Sequence, residues 1–162
     1  MTRLGFLIAR LARNEAALQR LSAPEADVMA QLAGRSVALV GNARSLAEGR
    51  LGAQIDAADL VIRINRAPMP GPESHGTRCD ILALATRIAP SDLDRLRPGR
   101  ILWMSHKRKR LSHAIAYSPG FHMPDLAQFR RLSRDLGAPP TTGLMLIDLL
   151  ARSSAAEVAV YG

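Results

Sequence analysis

The chain has 162 residues, with 22 basic against 14 acidic side chains and a formal net charge of +8. Apolar residues make up 48% and charged residues 22%, an ordinary globular composition that excludes a wholly disordered chain. A single cysteine, Cys79, excludes an internal disulfide framework and fits a reducing compartment. The excess charge is almost wholly arginine, Lys107 and Lys109 being the only lysines, and it favours anionic partners. Few aromatics, no zinc-finger spacing and arginines spread along the chain argue against nucleic acid as that partner.

At the N-terminus, Arg10 and Arg13 interrupt the apolar run Gly5 to Ala9 before a signal peptide or membrane span can form. Leu4, Leu7, Ile8, Leu11 and Leu18 share one face at helical spacing, which predicts a helix packed on the domain. The alternative is a basic amphipathic helix lying on a membrane surface. Ser22-Ala23-Pro24-Glu25 predicts a helix start with Ser22 as its cap, running to Leu32 and stopping at Gly34. Residues 1–34 are thus expected to form an N-terminal helical segment ahead of a domain spanning 35–162.

From Ser36 the pattern changes. Ser36–Val40 reads as a strand buried on both faces, and Leu60–Ile64, Asp80–Leu84, Ile101–Met104 and Glu157–Tyr161 read as further short strands. Between them, Ser45–Leu51, Ser91–Leu96, His106–Tyr117, Asp125–Leu136 and Thr142–Arg152 read as helices, and Ala67–Gly76 as a loop. Strands alternating with helices predict an α/β fold with a parallel sheet covered on both faces. Ligands of such sheets sit at the carboxyl ends of the strands, so the residues just after strands become the candidates.

Gly41 and Asn42 follow the first strand, where glycine permits a tight turn and the amide offers both donor and acceptor. Asn65 closes the second strand beside a proline-fixed loop, placed to read a base or ribose hydroxyl. Thr141, Thr142 and Gly143 open an apolar helix and would cradle a phosphate or carboxylate. Each has a plain structural explanation too: a strand-to-helix turn, an asparagine bonding its own backbone, an ordinary helix cap. No dinucleotide or P-loop glycine pattern is present, and His75, His106, His113 and His122 form no metal-binding motif. Arg63, inside an apolar strand, predicts an ion pair with Asp56 or Asp59, and Lys107–Arg110 predicts a solvated basic helix face, with contact to an anionic acceptor or a membrane as the alternative.

Taken together, two segments resemble known motifs. Val37-Ala38-Leu39-Val40-Gly41-Asn42 through Gly52, Ile55-Asp56, Val61, Arg63-Ile64-Asn65 and Ala67-Pro68 resembles, without a gap, the long sialylmotif of glycosyltransferase family 29, the eukaryotic-type sialyltransferases. Gly76-Thr77-Arg78 resembles the end of that motif. Pro140-Thr141-Thr142-Gly143-Leu144-Met145 through Glu157-Val158 and Val160-Tyr161-Gly162 is similar to the short sialylmotif. The resemblance implies a Rossmann-like three-layer α/β/α fold with a mostly parallel sheet. It implies transfer, with inversion, of a sialic acid or related acidic sugar from a CMP-activated donor to a glycan or glycolipid hydroxyl. It implies no cofactor and no essential metal. Asn42 and Asn65 would contact the CMP moiety, with Thr141, Thr142, Gly143 and Gly41 completing the donor site.

Two departures shape the expectation. The half-cystines that link the two motifs in the family fall here on Val37 and Ala155, as a cytoplasmic, bacterial-type homologue would require. The family continues past Tyr161-Gly162 into further motifs, one with a general-base histidine, so the sequence reads as truncated after the short motif. His106 or His122 would then substitute for that base, or the chain would be a non-catalytic CMP-binding module. A cytoplasmic location, with peripheral membrane contact through the N-terminal helix, completes the picture.

Overall fold

A computed structural model describes all residues, Met1–Gly162. Three helices come first: α1 (Arg3–Leu11), α2 (Glu15–Gln19) and α3 (Glu25–Leu32). The strands β1 (Ser36–Val40), β2 (Leu60–Ile64), β3 (Ile81–Leu84), β4 (Arg100–Trp103) and β5 (Glu157–Tyr161) form one sheet in the order β4-β3-β2-β1-β5. Every pairing is parallel. The expected α/β architecture is therefore present, and the sheet is wholly rather than mostly parallel.

Parallel strands normally bury both faces, and the near-continuous aliphatic sequences of β1 to β4 do so. The edge strand β5 leaves Val158 and Val160 exposed, so the expected covering of both faces stops short of it. On one face, Val37, Leu39, Leu60 and Ile62 pack with Val28 and Leu32 of α3 and with Leu146 and Leu149 of α9 (Thr142–Ala151). On the other, Leu82, Leu84 and Trp103 pack with Phe6 and Ala9 of α1, Leu18 of α2 and Ile115 of α7 (His113–Ala116). Ala38, Val40 and Val61 meet Ile55 of α4 (Gly52–Ala57). Residues 1–34 thus contribute side chains to both cores of the sheet domain. Val37 belongs to an apolar cluster against which Ala155 packs, so both positions where the resemblance places half-cystines are apolar and lie in one core.

Several local expectations are corrected. Helix α1 buries Phe6 and Ala9, while Leu4, Leu7, Ile8 and Leu11 lie exposed on its opposite side. The larger apolar stripe faces solvent because the single bulky Phe6, fully buried, fixes which side docks. Ser22 does not cap α3: Pro24 precedes Glu25, and the Ser22 hydroxyl accepts from Met123 N at 2.8 Å instead. Ser45–Leu51 is a 3₁₀ turn over Arg44–Glu48, with α4 following it. Within the expected loop, α5 (Pro72–His75) starts at its proline. His106–Tyr117 is not one helix but a 3₁₀ turn at Arg108–Arg110 and then α7, started by Ser112 as its cap. The helices α6 (Pro90–Leu96) and α8 (Leu126–Leu136) complete the chain, α8 capped by Asp125.

Candidate functional site

The carboxyl ends of the strands gather the candidate residues. From β1 the chain runs to β2, β3 and β4 on one side, and β5 returns to the other side of β1. A ligand crevice is expected where the strand order reverses, and Gly41 and Asn42 leave β1 at that point. Gly41 N donates to Tyr161 O at 2.7 Å, and a Cβ on Gly41 would stand 3.2 Å from that oxygen. Packing against β5 therefore explains Gly41 without a ligand. At Gly143 a Cβ would meet nothing closer than 3.8 Å, so internal packing does not demand that glycine.

The two asparagines are half-engaged in complementary ways. Asn42 Nδ2 donates to Ile64 O at 3.0 Å, which leaves its Oδ1 without an intramolecular partner. Asn65 Oδ1 accepts from Ala85 N at 2.9 Å, which leaves its Nδ2 free to donate. Asn65 also holds φ +55°, a left-handed conformation that asparagine tolerates better than most residues. One amide presents an acceptor and its neighbour a donor, a pair suited to a base edge or a ribose.

Asn65, Thr141 and Thr142 line one cavity of about 370 Å³, with Thr86, Ser105 and Arg110 among the residues completing its wall. Thr141 caps α9 by accepting from Leu144 N at 3.2 Å. The N–H groups of Thr142 and Gly143 precede the first intrahelical bond and remain available to an anion. Lys107 and Arg110 add positive charge to the same wall. Asn42, Gly41 and Gly143 are outside this cavity's lining, although the Asn42 bond to Ile64 O sets it one residue from Asn65.

The remaining candidates separate cleanly. His106 lines the cavity, its ring 4.4 Å from that of Phe129, and burial with Lys107, Arg108 and Arg110 nearby lowers its pKa. A neutral imidazole there is competent to accept a proton. His122 lies elsewhere: it is buried, with Nδ1 2.8 Å from Ala23 O and Nε2 without a partner, and burial foremost lowers its pKa. His75 hydrogen-bonds Ser74, and His113 stacks on Tyr117. Burial pushes the Cys79 thiol up to about 12, which removes it as a nucleophile.

Arg63 and Arg108 differ from expectation. Arg63 is 1% exposed and forms no ion pair; Nε donates to Arg78 O at 2.6 Å and Nη2 to His75 O at 2.7 Å. Asp56 instead accepts from Thr77 N and Arg78 N, and Asp59 from Ser36. Arg108 is buried rather than solvated, paired through Nη2 to Glu15 Oε1 at 2.7 Å. Thr86 and Ser105 were not among the residues expected at the site, yet both follow strands, the same signal that marked Asn42 and Asn65.

A wholly parallel sheet with helices on its faces and a polar, cationic cavity at its carboxyl edge defines a Rossmann-like α/β protein. The sequence profile of glycosyltransferase family 29 (sialyltransferase) matches residues 2–95, and the chain belongs to that family. Among solved structures, a mammalian sialyltransferase is similar at 20% identity and a TM-score of 0.58, over 90% of this chain and 68% of the other. A mammalian sialyltransferase in complex with Gal-beta-1-3GalNAc-ortho-nitrophenol is similar at 20% identity and a TM-score of 0.55, over 100% and 72%. No protein with a curated description matches the chain.

Proposed function

We propose that this glycosyltransferase-family domain binds a CMP-activated sialic acid or related acidic sugar and transfers the sugar to a glycan hydroxyl. The observation carrying this reading is the meeting of Asn65, Thr141 and Thr142 in one cavity, with Asn42 beside it. The free donor of Asn65 and free acceptor of Asn42 suit the cytidine, and the α9 N-terminus with Lys107 and Arg110 suits the phosphate. His106, neutral and in the same wall, is the group available in this chain to take the acceptor's proton. The second reading, a non-catalytic CMP-binding module, rests on the same cavity and is the outcome if CMP binds and transfer is absent.

Calorimetric titration tests it. CMP is expected to bind at least several-fold more tightly than AMP. Asn65→Asp keeps the acceptor for Ala85 N and tolerates the left-handed backbone but has no donor, so CMP affinity should fall about tenfold or more. Equal affinity for both nucleotides, or an unaffected variant, would count against cytidine recognition here.

We also propose peripheral membrane contact through α1, because Leu4, Leu7, Ile8 and Leu11 form an exposed apolar ridge on a strongly cationic protein. The protein should co-float with vesicles containing anionic lipid and much less with neutral ones. Leu7→Glu with Leu11→Glu should abolish flotation, since both side chains already face solvent and their loss leaves the core intact. Retained flotation of that variant rules the ridge out.

A further inference from the structure

A second cavity of about 550 Å³ adjoins the donor cavity, and its size falls in the usual small-ligand range of about 300–1,000 Å³. His106, Lys107, Arg110 and Phe129 are common to both walls, so the two spaces meet across the His106–Phe129 pair. Beyond that partition the second wall adds Arg13, Lys109 and Arg130. None of Arg13, Lys107, Lys109, Arg110 and Arg130 takes part in an ion pair. The one carboxylate present, Glu15, is held by the buried Arg108 fork, with Nη2 at 2.7 Å and Nε at 3.1 Å. Arg108 is fixed further by donating to Ser105 O and Pro124 O, both at 2.6 Å.

Like charges gathered around one concavity repel, and a bound anion relieves that repulsion while low-dielectric walls focus the field on it. Basic residues merely keeping a protein soluble have no reason to converge on a hollow that already lacks free acid. Phe129 supplies an apolar surface at the inner end, beside His106, where a sugar ring would present its hydroxyl to the donor cavity.

We propose that this second cavity is the acceptor subsite and that the acceptor is an acidic saccharide, carrying carboxylate or phosphate groups that Arg13, Lys109 and Arg130 engage. The inference rests on the donor reading above for the word acceptor, but the anionic saccharide site itself stands on the cavity. A neutral glycan would leave the clustered positive charge uncompensated.

The test titrates trigalacturonate, a phosphorylated disaccharide (mannose 6-phosphate linked to mannose) and lactose into protein saturated with CMP. At least one acidic probe should bind in the presence of CMP, lactose much more weakly, and the better acidic probe tells carboxylate from phosphate recognition. Arg13→Gln, Lys109→Gln and Arg130→Gln combined should weaken it roughly tenfold, a few-fold from each partly exposed charge. The three side chains do not line the donor cavity, so CMP affinity should stay unchanged in that variant. Acidic and neutral probes of equal affinity, an unaffected triple variant, or displacement of the acidic probe by CMP each overturns the proposal. Failure of CMP alone to bind, with acidic probes still bound and sensitive to the triple variant, sinks the donor reading and leaves the anionic saccharide site.

Discussion

Gly52→Ala is expected to be among the most damaging single-methyl additions in this protein. A Cβ at Gly52 would stand 1.8 Å from Pro72 O, 2.8 Å from Gly76 N and 2.9 Å from the Glu73 carbonyl carbon. All three are backbone atoms, so no side chain can rotate away; α4 and α5 must separate. Overpacking of this kind costs about 3 kcal/mol at the upper end of the usual range. In a domain of this size that corresponds to a fall in Tm of about 10 °C. Gly49→Ala is the comparison, since its Cβ would have ordinary contacts from 3.6 Å outward and should leave Tm nearly unchanged. Equal melting of the two variants would show that the α4–α5 approach is not a constraint.

Arg63→Met is expected to destabilise by about 2–4 kcal/mol, despite removing a charge from the core. Two effects oppose each other. Burial lowers the Arg63 pKa, so the guanidinium pays for leaving water, and methionine relieves that penalty. Against it, the carbonyls of His75 and Arg78 lose their guanidinium donors, at about 1–3 kcal/mol for each buried acceptor left unpaired. The second effect is the larger because two acceptors are stranded for one cation removed. Arg63→Lys should recover only part of the loss, since one ammonium cannot reproduce the spacing of Nε and Nη2. The urea midpoint should shift with the slope unchanged, and a midpoint at or above wild type would reverse this ordering.

Both predictions concern motif positions whose roles are not visible in a string of letters. Gly52, Asp56, Arg63, Gly76, Thr77 and Arg78 belong to the segment that resembles the long sialylmotif, and here they hold one another. Asp56 accepts from Thr77 N at 2.8 Å and Arg78 N at 3.1 Å, and Gly76, at φ +67°, leaves room for that carboxylate. These motif residues thus act as scaffold, bracing α4 against the turn after α5. The strands were legible because aliphatic runs broken by glycine, asparagine or proline have few other uses. Ser36–Val40, Leu60–Ile64 and Glu157–Tyr161 fall on their expected residues. The basic run Lys107–Arg110 was not: its fate depends on Glu15, far away in sequence, which drew Arg108 into the interior and left its neighbours outside. For α1 the leucine stripe outweighed one phenylalanine in the sequence, while Trp103 and Phe121 in the sheet core selected the phenylalanine.

The position of β5 has a consequence for how the molecule assembles. Its register runs Ser36 to Glu157 and Val40 to Tyr161, joining strands far apart in the sequence. Contacts this distant must overcome loop-closure entropy before they return any stabilisation, which makes such topologies slow to fold. During synthesis β1 therefore keeps one hydrogen-bonding edge open after β2 has paired with the other, and that edge stays a target for foreign strands until β5 is made.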